Sequence, residues 1–170
     1  VSRFLTQTTF GFTQKDINSV IKLGTEEWLN DQFSKTENNY LHRTDSIARM
    51  KYEYYLSQGA DSNDVSPFPY WTDWRYAWWD INIRGEDQLR QRVAYALSQI
   101  LVISDDSDLG GHARALASYY DLLSKHAFGN YKDLLLDVTL HTGMGFYLSH
   151  LNNPKEIPEE NIHPDQNYAR

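Results

Sequence analysis

The stretch 85–104 constrains the fold more than any other part of the chain. Between Glu86 and Ile103, Leu89, Val93, Ala96, Leu97 and Ile100 recur at helical spacing on one face. Leu101, Val102 and Ile103 make the last turns apolar on nearly every side. Such a helix needs neighbours in several directions, so the reading is a central helix with others packed around it. Glu86 and Asp87 stand at its start, where the positive end of the helix dipole favours acidic side chains, and Gly85 frees the backbone to enter. Beside the apolar stripe runs a polar one, Gln88, Arg92, Tyr95 and Gln99. Burying it requires a carboxylate or backbone carbonyls for Arg92, and a structural ion pair is the plainer reading over a functional role.

Local signals place further helices on either side. Thr13 with Asp16 forms a variant capping box opening a short helix that stops at Gly24; Thr25 is expected to cap the next, which carries Trp28, Leu29, Gln32 and Phe33 on one side. A third helix is expected over 44–57, followed by a turn-rich loop over 59–69. The segment 70–81 places Trp71, Trp74, Trp78 and Ile81 on one helical face. Beyond an acidic loop, a helix over 112–127 points Leu116, Tyr119, Tyr120 and Leu123 inward and ends near Gly129, expected to be left-handed. Asn130 caps another with Leu134, Leu135 and Val138 buried, and Thr142 opens a short one to about 151. Residues 152–164 form a polar connection containing Pro154, Pro158 and Pro164, after which Asp165 begins a new turn. Alternating β-branched runs, hairpin signals and repeats are missing. The fold class is therefore all-α, one domain of about seven to nine helices.

Composition narrows the partners. At 170 residues the chain suffices for one domain with a real core. Its net charge of −7, without a basic run, argues against nucleic acid. With no cysteine, disulfides, thiolate zinc sites, iron–sulfur clusters and covalent haem are excluded. No apolar run approaches the ~18 residues that span a bilayer, and no signal-peptide pattern opens the chain. A chain opening at Val1 and closing just after a helix start reads as the N-terminal fragment, or the ordered part, of a longer domain. Protein partners, including the remainder of its own chain, are expected. Aromatics make up 14% of residues, with 5 Trp and 12 Tyr, and must be buried or used at an interface.

Candidate chemistry is sparse. His141, His150 and His163 lie near one another in sequence, but no pair has the spacing that sets two imidazoles on one helix face, and helix-end or core histidines are the plainer reading. Asp106, Asp108 and Gly110-Gly111 fall where a calcium loop places its first ligands and its glycine, yet Ala117 occupies the position of the bidentate Glu. A complete EF-hand is excluded; a looser oxygen-ligand calcium site at Asp106 and Asp108 stays as a candidate beside a solvated acidic turn. No other cofactor is indicated. Trp71, Trp74, Trp78 and Trp79 form a candidate sugar-stacking platform, against core packing. A Gly-x-Ser-x-Gly elbow and phosphate-binding glycine loops are missing.

Several of these stretches also resemble one family. Residues 3–11 (RFLTQTTFG), 88–102 (QLRQRVAYALSQILV), Tyr119-Tyr120-Asp121 with 126–131 (HAFGNY), and 165–170 (DQNYAR) resemble the bacterial proteins catalogued as domain of unknown function 1800. The match is ordered and covers the N-terminal part of that longer family domain. The resemblance implies a bacterial, commonly exported protein, often encoded beside another exported family, with no established activity. Two departures stand out: Thr142 where the family usually has Pro, and Gln166 where it has Glu, which removes a carboxylate. The expectation is a noncatalytic structural or interaction component of an exported, extracellular or cell-surface assembly. The alternative is a hydrolase-like enzyme with its pocket where His141 meets Asp165, Asn167 and Arg170, with His163 on the connecting loop. There a helix start offers free N–H groups, and Asn167 and Arg170 offer further donors to an anionic or carbonyl group. The plain reading beside it is that Asp165 caps a helix while Asn167 and Arg170 tie it to the core. A second alternative is a carbohydrate-binding module using the four tryptophans.

Overall fold

The computed structural model describes residues 1–169. Among them are nine α-helices: α1 (Ser2–Thr8), α2 (Gln14–Leu23), α3 (Thr25–Ser34), α4 (Tyr40–Ser57), α5 (Trp71–Arg84), α6 (Gln88–Ser98), α7 (Ala113–Lys125), α8 (Tyr131–Leu140) and α9 (Thr142–Tyr147). The described residues hold no strand, only one isolated antiparallel bridge between Ile157 and Ile162. The chain is all-helical, as its patterning implies, and no helix among the described residues is long and apolar enough to cross a membrane.

Caps explain most boundaries. The Thr13–Asp16 box closes in both directions, with the Asp16 amide donating to Thr13 Oγ1 at 3.4 Å and the Thr13 amide donating to Asp16 Oδ2 at 2.6 Å. Gly24, at φ 85°, both ends α2 and precedes α3, so Thr25 is the first helical residue and not the cap. Helix α4 starts at Tyr40, ahead of the expected 44, because it is capped twice. The Asn39 side chain accepts from His42 N at 2.6 Å, and the Asp121 carboxylate, from α7, accepts from the amides of Tyr40 and Leu41 at 2.5 and 3.0 Å. Burial pushes the Asp121 carboxyl up to about 6 against those two donors. Gly129 is not left-handed: the positive-φ glycines among the described residues are Gly24 and Gly59, and Gly129 instead turns back, its N–H on His126 O at 3.0 Å.

The centre of the fold lies one helix later than the periodicity indicates. The stretch 86–103 is helical only over α6; the chain then turns, and Ile100 is 67% exposed. Helix α7 buries Ala113, Leu116, Ala117, Tyr119, Leu123 and Ser124 and touches α4, α5, α6, α8 and α9. Its alanines let α4 and α5 approach closely, and around it sit two of the three apolar clusters. One gathers Tyr40, Trp74, Ile81, Leu109 and Leu116 between α4, α5 and α7; the other gathers Ala94, Tyr119, Leu123, Leu134, Val138 and Met144 between α6 and α9. A third, Leu5, Val20 and Trp28, seats the N-terminal helices. On α8, Leu134 and Val138 are buried as expected, whereas Leu135 is 37% exposed.

The innermost side of α6 carries a polar residue, Gln91, beside the apolar Ala94. Gln91, fully buried, donates through Nε2 to Asp87 Oδ2 at 2.8 Å and Ser124 Oγ at 3.1 Å, and its Oε1 accepts from the Tyr40 hydroxyl at 2.5 Å. Asn82 Nδ2 donates to that hydroxyl at 3.0 Å, and Asn38 holds Asp87 through its backbone and side-chain N–H groups at 3.0 and 2.5 Å. Burial raises the Tyr40 phenol far above its ordinary value, so it stays a donor. This knot joins the α3–α4 link to α5, α6 and α7. Arg92 takes a different solution from the ion pair its stripe implies: its guanidinium lies over the rings of Phe10 and Tyr95, at 5.1 and 5.9 Å.

Candidate functional site

His141 closes α8 and caps α9. Its Nδ1 accepts from the Gly143 amide at 3.0 Å, its Nε2 lies 3.2 Å from Ser118 Oγ on α7, and its ring stands edge-on to Tyr119 at 5.2 Å. A serine and an imidazole at this distance have the outline of a nucleophile and its base. The two residues sit on different helices, and the sequence holds no signal that pairs them. The proton positions decide what the pair does. Because the Gly143 N–H occupies the Nδ1 lone pair, the ring proton sits on Nε2 and points at Ser118 Oγ, whose own hydrogen goes to Ala115 O at 3.1 Å. A general base needs a free lone pair where this ring carries a proton. Burial lowers the imidazole pKa and keeps the ring neutral. The pair clamps α9 onto α7, and a Cβ at Gly143 would stand 3.1 Å from Nδ1, which explains the glycine.

The neighbouring segment is organised on its own. Asp165 pairs through its backbone with the Asn153 side chain at 2.7 and 2.8 Å, and its carboxylate accepts from the Asn167 backbone and side chain at 2.7 and 3.1 Å. His163 is exposed between Glu156 and Asn161, at 3.3 Å from each. Tyr168 docks this segment: its hydroxyl bonds Thr139 on α8, and its ring lies 4.7 Å from that of His150. Thus His141 is brought together with Ser118 and Tyr119, Asp165 with Asn153 and Asn167, and His163 with Glu156 and Asn161. Arg170 lies outside the described residues.

In the acidic loop, Asp105 bonds Arg75 Nε at 2.7 Å. Ser104 Oγ accepts from the Asp106 amide and Ser107 Oγ from the Leu109 amide, at 3.0 and 3.1 Å, while Leu109 plugs into the core. A Cβ at Gly110 would fall 2.7 Å from Asp105 O, so close backbone approach accounts for this glycine. Asp106 and Asp108 are exposed, and among the described residues no three His, Asp or Glu side chains gather closely enough to hold a metal ion.

The four tryptophans divide. Trp74 faces the core against Tyr40 and Tyr120, with centroids at 5.7 and 5.2 Å. Half-buried Trp78 is buttressed by Phe10 at 5.6 Å, Tyr95 at 6.0 Å and Tyr120 at 6.4 Å. Trp71 and Trp79 point outward, 44% and 59% exposed, with Trp79 edge-on to Trp78 at 5.0 Å. Between them Arg75 lies 4.6 Å over the Trp71 ring. Two open clefts meet at Arg75: one of about 390 Å³ lined by Trp78, Trp79, Tyr95 and Tyr120, the other of about 430 Å³ lined by Trp71, Asp105 and Asp106. Flat apolar faces edged by a guanidinium and carboxylates suit a ligand that is flat and partly polar. Periodicity marks the tryptophans, and the i, i+4, i+8 spacing of Trp71, Arg75 and Trp79 is the signal that adds the arginine; Tyr95, Tyr120 and Asp105 arrive only through packing.

A further groove of about 640 Å³ runs between α1–α3 and the α5–α6 link. Three of its polar side chains are already engaged: Asp16 in the α2 cap, Gln32 with Glu86 O and the Leu89 amide, and Gln88 with Asn82 O, Gly85 O and the Phe10 amide.

No curated protein and no solved structure matches the chain. One family profile does, that of the family described as "Protein of unknown function (DUF1800)", over residues 3–170, and the chain belongs to that family.

Proposed function

We propose that the chain is a noncatalytic interaction component of an exported or cell-surface assembly, meeting other protein surface, the remainder of a longer chain included, through the outer side of α8. The observation that carries this reading is the exposure of Leu136 and Leu140, one turn apart on the side of α8 away from the buried Leu134 and Val138, at 58% and 73%. Burying the exposed part of each leucine would contribute about 1–2 kcal/mol. A helix that carries leucines on both its inner and outer sides, the outer pair flanked by exposed Lys132 and Asp133, suits a second neighbour with a polar rim. The closed hydrogen-bond chain through His141 and Ser118 favours this reading over a hydrolytic one. The exported location rests on the family resemblance.

The test is to purify the full-length protein from its host and follow the α8 face by hydrogen exchange and by size. Protection of α8, lost together with any complex in Leu136→Glu/Leu140→Glu while helicity is kept, is the expected result. An unprotected α8 in a monomer that turns over a glycan, ester or peptide panel would reverse the reading, and recovery from the cytosolic fraction would refute the location.

A further inference from the structure

We propose that the outer face of α5 binds a neutral, unbranched polysaccharide, with Trp71 and Trp79 as stacking platforms and Arg75, Asp105 and Asp106 as the polar contacts between and beside them. This face is separate from α8, and the inference does not rest on the interaction reading. Trp71 and Trp79 lie eight residues apart on one 14-residue helix, so their attachment points are about 12 Å apart along its axis. A short run of linked pyranose rings spans that separation. A sugar ring presents an apolar C–H face and a rim of hydroxyls. It therefore needs a flat apolar surface together with donors and acceptors at its edge, which is the combination found here.

The geometry is prearranged. Arg75 is held from two sides, by Asp105 at 2.7 Å and by the Trp71 ring at 4.6 Å. Trp79 is braced by Trp78, which is braced in turn by Phe10, Tyr95 and Tyr120. A ligand landing on this ledge has little side-chain freedom left to remove, which favours binding. Both clefts are open and share Arg75 in their walls, a shape suited to a chain running across the surface and not to an enclosed small molecule. Charge selects among polymers. With Arg75 already paired, Asp106 exposed, and a net charge of −7 over the chain, an acidic polysaccharide is repelled where a neutral one is not.

Titration of the full-length protein by tryptophan fluorescence and calorimetry with neutral hexasaccharides of β-1,4-glucose, β-1,3-glucose and β-1,4-mannose, and by pull-down on the matching insoluble polymers, tests this. Saturable binding to at least one neutral glycan is expected, weakened about tenfold by Trp79→Ala and by Trp71→Ala, and unchanged by Tyr131→Ala on α8. Both tryptophans are exposed, so circular dichroism and melting temperature should stay at wild-type values and separate lost binding from lost folding. Failure to bind any of the three glycans overturns the proposal. So does binding that survives Trp71→Ala/Trp79→Ala, tighter binding of alginate than of neutral glycans, or a proline-rich peptide occupying the ledge in place of sugar. The α8 variants are read by exchange and size, so none of these failures touches the interaction reading.

Discussion

Replacing Gln91 with Leu should unfold this protein more readily than its modest change in volume implies. Leucine removes the acceptor of the Tyr40 hydroxyl at 2.5 Å and the donor to Asp87 and Ser124 at 2.8 and 3.1 Å. Tyr40, Asp87, Gln91 and Ser124 are each 0% exposed, so water does not take the vacated places. A buried polar group left without its partner costs about 1–3 kcal/mol, and three such losses, which are not additive, come to about 3–5 kcal/mol. Asp87 keeps the two Asn38 donors, which limits its share. Extra apolar burial by leucine offsets about 1 kcal/mol, leaving a net loss near 2–4 kcal/mol, or roughly 5–15 °C in melting temperature for a domain this size. Tyr40→Phe should cost about 1 kcal/mol, because it takes one partner from Gln91 while Asn82 keeps Trp78 O. In the double variant the costs should fall short of their sum by about 1 kcal/mol, since one bond is counted in both. Urea unfolding followed by far-ultraviolet circular dichroism measures all three. Wild-type stability in Gln91→Leu, or strict additivity in the cycle, would refute the argument and leave the core held by apolar packing alone.

Three further outcomes follow from individual contacts. Asp121 titrates near 6 in the fold against 3.8 ordinarily, so its contribution to stability is complete below the ordinary value and is lost as pH rises through about 6; urea midpoints from about pH 4 to 7 should lose that slope in Asp121→Asn, and an unchanged slope would assign it elsewhere. His141 has the opposite sign: with its folded pKa lowered by burial, its contribution is present above the ordinary 6.5 and lost as pH falls, so His141→Ala should cost about 1 kcal/mol at neutral pH and less in acid, and a loss that grew in acid would contradict the buried neutral ring. Gly85→Ala brings a Cβ within 2.6 Å of Ile81 O and 2.9 Å of Asn38 Nδ2 and should cost about 1–3 kcal/mol by thermal melting, a wild-type melt meaning that the α5–α6 link yields freely.

The helices themselves are written locally. The Thr13–Asp16 box, Gly24 at the α2–α3 corner and Asn130 ahead of α8 each act within four residues, so a short window of sequence contains the whole interaction. The start of α4 does not: its second cap, Asp121, is 81 residues from Tyr40, and no window holds both. Periodicity likewise reports which side of a helix is apolar but not how many neighbours that helix has. That is why the stretch 86–103 reads as the centre while α7, with its small Ala113 and Ala117, occupies it. The tryptophans of α5 show the same boundary at one site. Their spacing makes all four visible, yet Trp74 is covered by Tyr40 and Tyr120 while Trp79 stands in water. The Ser118–His141 contact, the Gln91 knot and the Arg75–Asp105 pair belong to the same class. Backbone hydrogen bonding and local sterics act between near neighbours along the chain and are therefore settled by the sequence alone. Burial and the pairing of distant polar groups depend on which surfaces meet once every helix has packed, and only the assembled tertiary fold settles those.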